Sequence, residues 1–334
     1  MAENFGSTIY DVAARSGVSI STVSRFLNAP VKVNPDTALK IKTAMEQLAY
    51  IRHGNAGTRS SRQVGRVGVL SPFFPAVSFM QRMQGIAEVL RKADYELIIY
   101  SVDSLEQLEK YVHSCAFSRR LDGLIVMAMA ISDENAKRLQ KSGLQVVLIE
   151  QHSSYFSCIE CDNVRGGALA AEHFLSKDYS PLGYIGQAEA LPYSLQPSRL
   201  RLKGFRDSAT AAGKPISDDH IRLGLDSVLD AQRMARELLS LRKPPRAIFA
   251  MSDLQAFGVI KAAREFGLRI PQDVAVLGFD DIEAADYMEL STISQSLNES
   301  GRLAAELLVG RIKEPGRPLQ SVQLKVSVVE RSTS

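Results

Sequence analysis

"TIYDVAARSGVSISTVSRFLN", residues 8–28, predicts two short helices joined by a tight turn. Thr8 can cap the first helix, in which Ile9, Val12 and Ala13 recur at the spacing of an apolar helix face. Gly17 then suits the left-handed backbone conformation that commonly ends a helix. The stretch therefore begins with a short amphipathic helix and a glycine turn.

The second helix of this stretch separates its apolar side chains from its polar ones. Ser19 can cap it, and Val23 and Leu27 lie four residues apart on one face with Phe26 beside them. The residues left to solvent or to a partner are Ile20, Ser21, Thr22, Ser24 and Arg25. This face is the candidate contact surface.

A third helix follows in "VNPDTALKIKTAMEQLAY", residues 33–50. Asn34 is a good N-cap, and Pro35 fits the first helical position. We expect Leu39, Met45 and Leu48 to form the inward stripe of this helix. Three helices within about 45 residues would make a minimal domain.

The spacing within the first two helices is that of a helix-turn-helix. Ala13 permits close helix contact, Gly17 makes the turn, and Val23 fills the core. In a DNA major groove, Arg25 can make a bidentate contact to guanine while the neighbouring hydroxyls bond to base edges or phosphates. Ile20 can touch a thymine methyl group. The alternative is a small helical cap whose second helix is polar without binding DNA.

Positive charge is concentrated near the N-terminus of the chain. The net charge is +3, whereas residues 1–66 hold nine Lys or Arg against four Asp or Glu, which is +5 and leaves −2 for the remainder. A basic head on a nearly neutral body fits binding of a polyanion by one part of the chain. A solvated charged face is the alternative explanation.

The composition is that of a globular protein with more than one domain. The chain has 334 residues, of which 45% are hydrophobic, and no run approaches the ~18 consecutive apolar residues of a membrane span. The opening "MAENFGST" lacks the basic and apolar regions of a signal peptide. We therefore expect a cytoplasmic protein.

The cysteines and histidines predict neither disulfides nor a metal site. Cys115, Cys158 and Cys161 form an odd set with no CxxC pair beside histidine ligands, so buried free thiols are expected. The five histidines show no metal-ligand spacing, and the chain lacks the GxxxxGK[ST] phosphate loop. Gly166 and Gly167 are expected to permit close helix packing. We expect no cofactor and no catalytic residues.

On these motifs the sequence resembles the LacI/GalR (lactose-repressor) family of bacterial transcriptional regulators over nearly the whole chain. Residues 8–28 and 33–50 carry the resemblance to the DNA-binding head of that family. The resemblance implies that Ile20, Ser21 and Arg25 read bases. It also implies contacts to phosphates or neighbouring bases from Thr8, Tyr10, Ser19, Thr22, Ser24, Asn28, Lys32, Asn34 and Thr37.

The stretch after the head departs from the family pattern. Family members continue with a short helix whose leucine wedges into the minor groove, whereas "IRHGNAGTRSSRQ" here places Arg59 at that position. Gly54 and Gly57 disfavour a helix, so we expect a flexible or conditionally ordered linker over residues 53–64. Arg59 and Arg62 can enter a narrow minor groove or bind phosphates, and simple solvation of both is the alternative.

From Gly65 onward, short apolar runs alternate with helical patterns. This rhythm predicts α/β architecture with parallel sheets covered on both faces, in two doubly wound lobes of about five or six strands each. The resemblance implies lobes like those of periplasmic sugar-binding proteins, with chain crossings near residues 161, 291 and 322. We therefore expect a helix-turn-helix head over 1–52 and a body over 65–334. Lobe 1 would span about 65–160 and 292–321, and lobe 2 about 161–291 and 322–334.

Doubly wound sheets bind ligands at the carboxyl ends of their strands. The candidates that directly follow predicted strands are Ser71, Phe73, Phe74, Glu150, Asp162, Ser252, Asp253, Asp280 and Asp281. Arg201 begins a helix of the second lobe, and the resemblance implies that Arg201 and Asp280 are the principal effector contacts. Carboxylates, a forked arginine and flat aromatic rings are typical of sites for sugars.

Some of these candidates have structural alternatives. Asp162 can cap the helix that follows it, and Asp281 can serve the turn alone. Phe79 and Tyr193 are weaker members of the effector set, because aromatic side chains at such spacing also belong in cores.

These features bear on three classes of function. The favoured one is a sequence-specific transcriptional regulator, a repressor of carbohydrate-utilisation genes controlled by a small molecule such as a sugar in the cleft. A ligand-binding protein without DNA function and an enzyme are the alternatives, and the basic head and the lack of a nucleophile with its base disfavour them. Because one short recognition helix reads few base pairs, we expect a homodimer on a near-palindromic operator.

Overall fold

The structure is a computed structural model that describes residues 9–29, 32–48, 64–117, 120–188 and 191–334. The chain divides into two compact units, residues 1–63 and 64–334, here called the head and the body. Within the described ranges, none of the helices is both long enough and apolar enough to cross a bilayer.

The described part of the head contains three helices, α1 (Ile9–Ser16), α2 (Ile20–Asn28) and α3 (Pro35–Gln47). Ser19 caps α2, its Oγ accepting a hydrogen bond from the backbone N–H of Thr22 at 3.2 Å. Asn34 caps α3 through the backbone N–H of Asp36 at 2.9 Å. Gly17 has a φ of 69°, the left-handed value that the turn requires. The predicted turn and the caps of α2 and α3 are confirmed.

The core of the head takes one face from each helix. Its buried residues are Val12, Ala13, Val23, Ile41 and Ala44. The prediction for α3 is wrong at Leu39, which is 65% exposed. The inward stripe of α3 runs through Ile41, Met45 and Leu48 at helical spacing, which turns Leu39 toward solvent.

The body is built on two sheets with six described strands each. Along the chain these strands are β1 (Gly65–Pro72), β2 (Tyr95–Val102), β3 (Gly123–Met127), β4 (Gln145–Ile149), β5 (Ser157–Cys161), β6 (Leu182–Gln187), β7 (Ile221–Gly224), β8 (Ala247–Ala250), β9 (Ala275–Asp280), β10 (Thr292–Ser294), β11 (Ser321–Leu324) and β12 (Ser327–Val329). The first sheet has the order β11-β5-β4-β3-β1-β2 and the second has the order β12-β10-β9-β8-β6-β7. The described pairs are parallel apart from β10 and β12, which run antiparallel.

Helices cover both faces of each sheet. They are α4 (Val77–Lys92), α5 (Leu105–Phe117), α6 (Asp133–Ser142), α7 (Asn163–Ser176), α8 (Pro197–Ala211), α9 (Val228–Leu239), α10 (Asp253–Glu265), α11 (Glu283–Tyr287) and α12 (Leu297–Lys313). The first sheet packs against α5 and α6 on one face and against α4 and α12 on the other. The second sheet packs against α9 and α10 on one face and against α7 and α8 on the other. The predicted doubly wound α/β architecture is confirmed.

The first lobe holds the first sheet and the second lobe holds the second. The chain passes between them after β5, between β10 and α12, and between β11 and β12. The last two crossings follow Ser294 and Leu324, later than the predicted positions near 291 and 322. The reason is that each crossing is preceded by a short strand that completes the pairing of its own sheet.

Glycine pairs set the closest helix contacts in both lobes. A Cβ at Gly167 of α7 would lie 1.9 Å from the carbonyl oxygen of Arg201 of α8. In the first lobe, a Cβ at Gly301 of α12 would lie 2.0 Å from the carbonyl oxygen of Arg82 of α4. The predicted close packing at Gly167 is thus confirmed. In each lobe this contact fixes the backbone of a helix that carries a buried arginine.

Candidate functional site

The outward face of α2 is the candidate nucleic-acid interface of the head. Val23 is fully buried and anchors the helix, while Ile20 is 43% exposed and Ser21 and Arg25 are exposed beside it. Ser19 Oγ lies 2.8 Å from the hydroxyl oxygens of both Ser21 and Thr22. The helix therefore presents a cluster of hydroxyls and one guanidinium on a rigid support.

The other predicted DNA contacts in the head differ in exposure. Tyr10, Lys32 and Asn34 are exposed, and Ser24 and Thr37 are half-buried. Thr8, the side chain of Asn28, Arg59 and nearly all of the predicted linker lie outside the described residues.

In the second lobe, Arg201 is buried against neutral partners. Its Nε donates to Asn163 Oδ1 at 2.8 Å, and its Nη1 donates to the backbone carbonyl of Met251. The central guanidinium carbon lies 3.5 Å from the ring centroid of Phe279, a cation–π contact. Asp280 Oδ1 is 3.9 Å from Nη1. The arginine is thus held in place mainly by an amide, a carbonyl and a ring face.

Asp280 lies at the carboxyl end of β9 in an environment that disfavours its charge. Burial, opposed by the charge of Arg201 and reinforced by the nearby Asp226, raises the pKa of this carboxyl to about 7. Asp226 follows β7 and accepts a hydrogen bond from Ser252 Oγ at 2.6 Å. Burial raises the pKa of Asp226 as well. Three strand ends of the second lobe therefore converge on a polar patch that holds two buried carboxyl groups with raised pKa values.

The first lobe places a buried ion pair at the corresponding edge. Arg82 of α4 donates to Glu150, which directly follows β4, and to Gln295 Oε1 at 2.9 Å. Gln295 Nε2 in turn donates to Asp280 Oδ1 at 2.5 Å. Arg82 Nε is buried and has no hydrogen-bond acceptor among the described residues. Gln295, in the second crossing, therefore connects Arg82 of the first lobe to Asp280 of the second lobe by hydrogen bonds.

Aromatic rings lie beside this ion pair. Phe73 and Phe74 are 38% and 37% exposed, and Phe73 contacts the half-buried Phe79 edge-on at a centroid distance of 5.8 Å. The Arg82 guanidinium carbon lies 5.9 Å from the Phe79 centroid. The first lobe thus offers apolar ring surface next to a buried charge.

Residues 193–195, between β6 and α8 of the second lobe, contact the first lobe and are here called the strap. Ser194 forms an isolated antiparallel bridge with Met129, and the backbone N–H of Leu195 donates to the carbonyl of Ala128 at 3.1 Å. Tyr193 packs within the core cluster of the first lobe and is 6% exposed. The core alternative for Tyr193 is therefore the one that its packing supports.

Several strand ends carry left-handed backbone at residues other than glycine. The φ values are 56° at Phe73, 47° at Ala128, 72° at Glu150, 121° at Asp280 and 58° at Asp281. Each such residue costs about 1–3 kcal/mol and persists where the surroundings enforce it, typically at binding and catalytic sites. The strained positions therefore mark the same edge of both sheets.

Family comparisons agree with this two-part organisation. Residues 8–53 match the profile "Bacterial regulatory proteins, lacI family", and residues 171–334 match the "Periplasmic binding protein-like domain". The ribose operon repressor of Escherichia coli K12 is 28% identical over 333 residues, covering 98% of this chain and 100% of that protein. The chain belongs to the LacI family of bacterial regulatory proteins. Members of this family are DNA-binding transcriptional regulators.

Solved structures of LacI-family proteins share the fold. A transcriptional regulator from Silicibacter pomeroyi is 25% identical, with a TM-score of 0.77 over 98% of this chain and 99% of that one. A regulator from Enterococcus faecium with bound ribose is 27% identical, with a TM-score of 0.70 over 80% of this chain and 98% of that one.

In this LacI-family chain, some predicted effector residues are engaged in structural contacts. Asp253 is fully buried, and its two carboxylate oxygens accept hydrogen bonds from the backbone N–H of Ile282 at 2.9 Å and from Thr292 Oγ1 at 2.5 Å. Asp162 caps α7 through the N–H of Arg165 at 2.8 Å. Ser71 is fully buried and donates to the carbonyl of its neighbour Pro72. Asp281 pairs with Arg331 at 2.9 Å.

Four residues of the network escaped prediction from the sequence. Asp226 follows β7 and obeys the same strand-end rule, so it was open to prediction. Gln295 follows the short strand β10, which carries little periodic signal. Arg82 and Asn163 lie on helices, where no local pattern separates a buried polar residue from an exposed one.

Proposed function

We propose that the protein is a repressor of carbohydrate-utilisation genes whose affinity for operator DNA is set by a sugar or sugar derivative bound between the lobes. The observation that carries this proposal is the convergence of Arg201, Asp280, Arg82 and Glu150 at the strand ends of both lobes. A ligand that contacts both lobes stabilises one lobe arrangement over another, which is what allosteric control requires.

The chemistry of this edge suits a polyhydroxylated ligand. Hydroxyl pairs can donate to Asp280 or Asp226 and accept from Arg82 Nε, which is buried without an acceptor among the described residues. Phe73 and Phe74 expose ring surface on which a sugar face can stack. Asp253 and Asp162 are assigned to support, because their carboxylates already serve backbone groups.

The head supplies the proposed DNA contacts. Arg25, Ser21 and Ile20 read bases in a major groove, and the hydroxyls around the N-terminus of α2 hold phosphates. The protein acts as a homodimer on a near-palindromic operator, in the cytoplasm, with the head over 1–52, a linker over 53–64 and the effector-binding body over 65–334. A small-molecule effector and DNA are its partners, and no catalysis is proposed.

Base reading is tested with Arg25→Ala in the full chain. A duplex selected by the wild-type chain from a random pool is compared with its scrambled version at fixed salt. Loss of a bidentate guanine contact should reduce the preference for the selected duplex by about 1–3 kcal/mol. Lys40→Ala removes the same charge from the exposed side of α3 and should leave the preference unchanged. An unaltered preference in Arg25→Ala would remove Arg25 from base reading.

Effector binding is tested by calorimetry with a panel of sugars. Ribose comes first, because a ribose operon repressor and a ribose-bound regulator are among the relatives. Arg201→Ala should weaken binding of the active sugar at least about thirtyfold, which corresponds to about 2 kcal/mol, while DNA binding persists. Arg199→Ala, an exposed arginine on the same helix, is the matched control. Equal affinities in both variants would show that the ligand binds elsewhere.

A further inference from the structure

A cluster of three metal-ligating side chains lies at one edge of the first sheet, apart from the network just described. His152, Cys158 and Glu160 bring their ligand atoms within 4.8 Å of one another. His152 Nδ1 is 2.9 Å from Glu160 Oε1, and Cys158 Sγ is 3.3 Å from the same oxygen. A nitrogen, a sulfur and an oxygen therefore lie within reach of one another.

The fold explains why His152, Cys158 and Glu160 lie close together. Cys158 and Glu160 are two residues apart on β5, so their side chains lie on the same face of the sheet. Strand β11 pairs beside β5 and places Ser321 opposite Cys158, with its Oγ 3.0 Å from Glu160 Oε1. The loop that follows β4 returns past this face and brings His152 over it.

We propose that this cluster binds a divalent transition metal ion of the zinc class. Zinc takes thiolate, imidazole and carboxylate ligands at about 2.0–2.3 Å in a tetrahedron, which places the ligand atoms about 3.3–3.8 Å apart. The nitrogen–oxygen separation of 2.9 Å and the sulfur–oxygen separation of 3.3 Å lie at or just below those values, and the three ligand atoms lie within 4.8 Å of one another. Ser321 or water completes the fourth position.

The set of donors discriminates among ions. Magnesium and calcium prefer oxygen ligands alone, and the thiol of Cys158 is a poor partner for them. An ion pair between His152 and Glu160 would explain two of the residues but not the thiol directed at the same oxygen. His152 has a side chain that is 72% exposed, while Cys158 is fully buried. An ion therefore enters from the side of the histidine.

The position of the cluster connects it to the interlobe network. Glu150, which binds Arg82, lies two residues before His152 on the same loop. The first crossing begins directly after β5, two residues beyond Glu160. An ion held by His152 and β5 would therefore tie the loop that carries Glu150 to the strand that leads into the crossing.

The test is a Co²⁺ titration of the reduced full-length protein, followed by displacement with Zn²⁺. A thiolate-to-cobalt charge-transfer band that saturates at one ion per chain and disappears with Zn²⁺ supports the site. His152→Ala changes an exposed side chain and should weaken binding at least about tenfold, since even loss of an outer-sphere partner costs that much. Cys158→Ser should abolish the charge-transfer band.

Two controls keep the outcome specific. His113→Ala removes another exposed histidine, and Cys161→Ala removes the thiol that directly follows Glu160 in the chain but packs with the core of the second lobe. Both variants should titrate like the wild type. Absence of a band in the wild type, or a band that survives Cys158→Ser, would overturn the proposal. Equal affinity in His152→Ala and the wild type would do the same. The measurement involves neither DNA nor sugar, so its result is independent of the proposed function.

Discussion

The two lobes repeat one strand order but hold their buried arginines differently. In the first lobe Arg82 is paired directly with the carboxylate of Glu150. In the second lobe Arg201 is held by an amide, a backbone carbonyl and the ring of Phe279. Its nearest carboxylate oxygen, on Asp280, stands 3.9 Å away. The helix contacts that place the two arginines are alike, so the difference lies in the partners.

This difference suggests separate roles for the two arginines, Arg82 in supporting the structure and Arg201 in binding a ligand. Glu150 neutralises Arg82 within its own lobe and leaves only the Arg82 Nε without an acceptor among the described residues. The neutral partners of Arg201 fix its direction, and its charge is compensated only by Asp280 at 3.9 Å. Asp280, with a pKa of about 7, can adjust its protonation to what binds beside it. The second lobe is therefore the better candidate for the specific contacts, and the first lobe for the rigid wall and the ring surface.

The largest effect is expected from removal of Arg82. Arg82→Ala leaves Glu150 buried without its counter-charge and should lower the free energy of unfolding by about 3–5 kcal/mol. Arg201→Ala should cost less, about 1–3 kcal/mol, because its partners are mostly neutral. Urea unfolding of both variants measures the contrast, with Arg91→Ala on the exposed side of α4 as the control. Equal losses would break the distinction between the lobes.

A pH dependence is expected next, from Asp280. Its pKa is about 7 in the folded state and 3.8 in the unfolded state, so the folded protein binds the extra proton between these values. The free energy of unfolding should therefore fall as pH rises from about 4 to about 7, by at most about 1.4 kcal/mol per pH unit from this group. Asp280→Asn should remove that share of the slope. Unfolding curves at pH 5 and 7 that keep the wild-type difference would contradict this.

A smaller effect is expected where the lobes are joined by the strap. Tyr193→Ala empties a place in the core of the first lobe and should lower the free energy of unfolding by about 3 kcal/mol. Tyr287→Ala, at a side chain that is 81% exposed, should change it by less than about 0.5 kcal/mol. If the two variants unfold alike, Tyr193 does not fasten the second lobe to the first.

The sequence was most informative where a local pattern carries the structural signal. Caps, glycines and apolar runs located the helices of the head and the strands of the body, and the strand-end rule located Glu150 and Asp280. It was least informative where contacts depend on tertiary packing. Arg82 becomes important because α4 packs against α12, which no spacing within α4 reveals. Leu39 is apolar yet exposed, because its position on α3 lies off the face that carries Ile41 and Met45 into the core.

The same limit applies to the proposed metal site. The sequence predicted no metal ligands, because His152, Cys158 and Glu160 match no familiar spacing. A loop that doubles back over an edge strand brings them together, and loop paths are not encoded in a short pattern.

Gln295, at the second crossing, lies between a side chain that donates hydrogen bonds and one that accepts them. Arginine can only donate hydrogen bonds, and an ionised aspartate can only accept them, so a side chain between Arg82 and Asp280 must accept at one end and donate at the other. A glutamate there would serve Arg82 but repel Asp280, and a leucine would remove one hydrogen bond from each of them. The amide is a neutral adapter between a basic and an acidic side chain. Gln295 thus links the charge of Arg82 in the first lobe to that of Asp280 in the second lobe by hydrogen bonds, without adding a charge of its own.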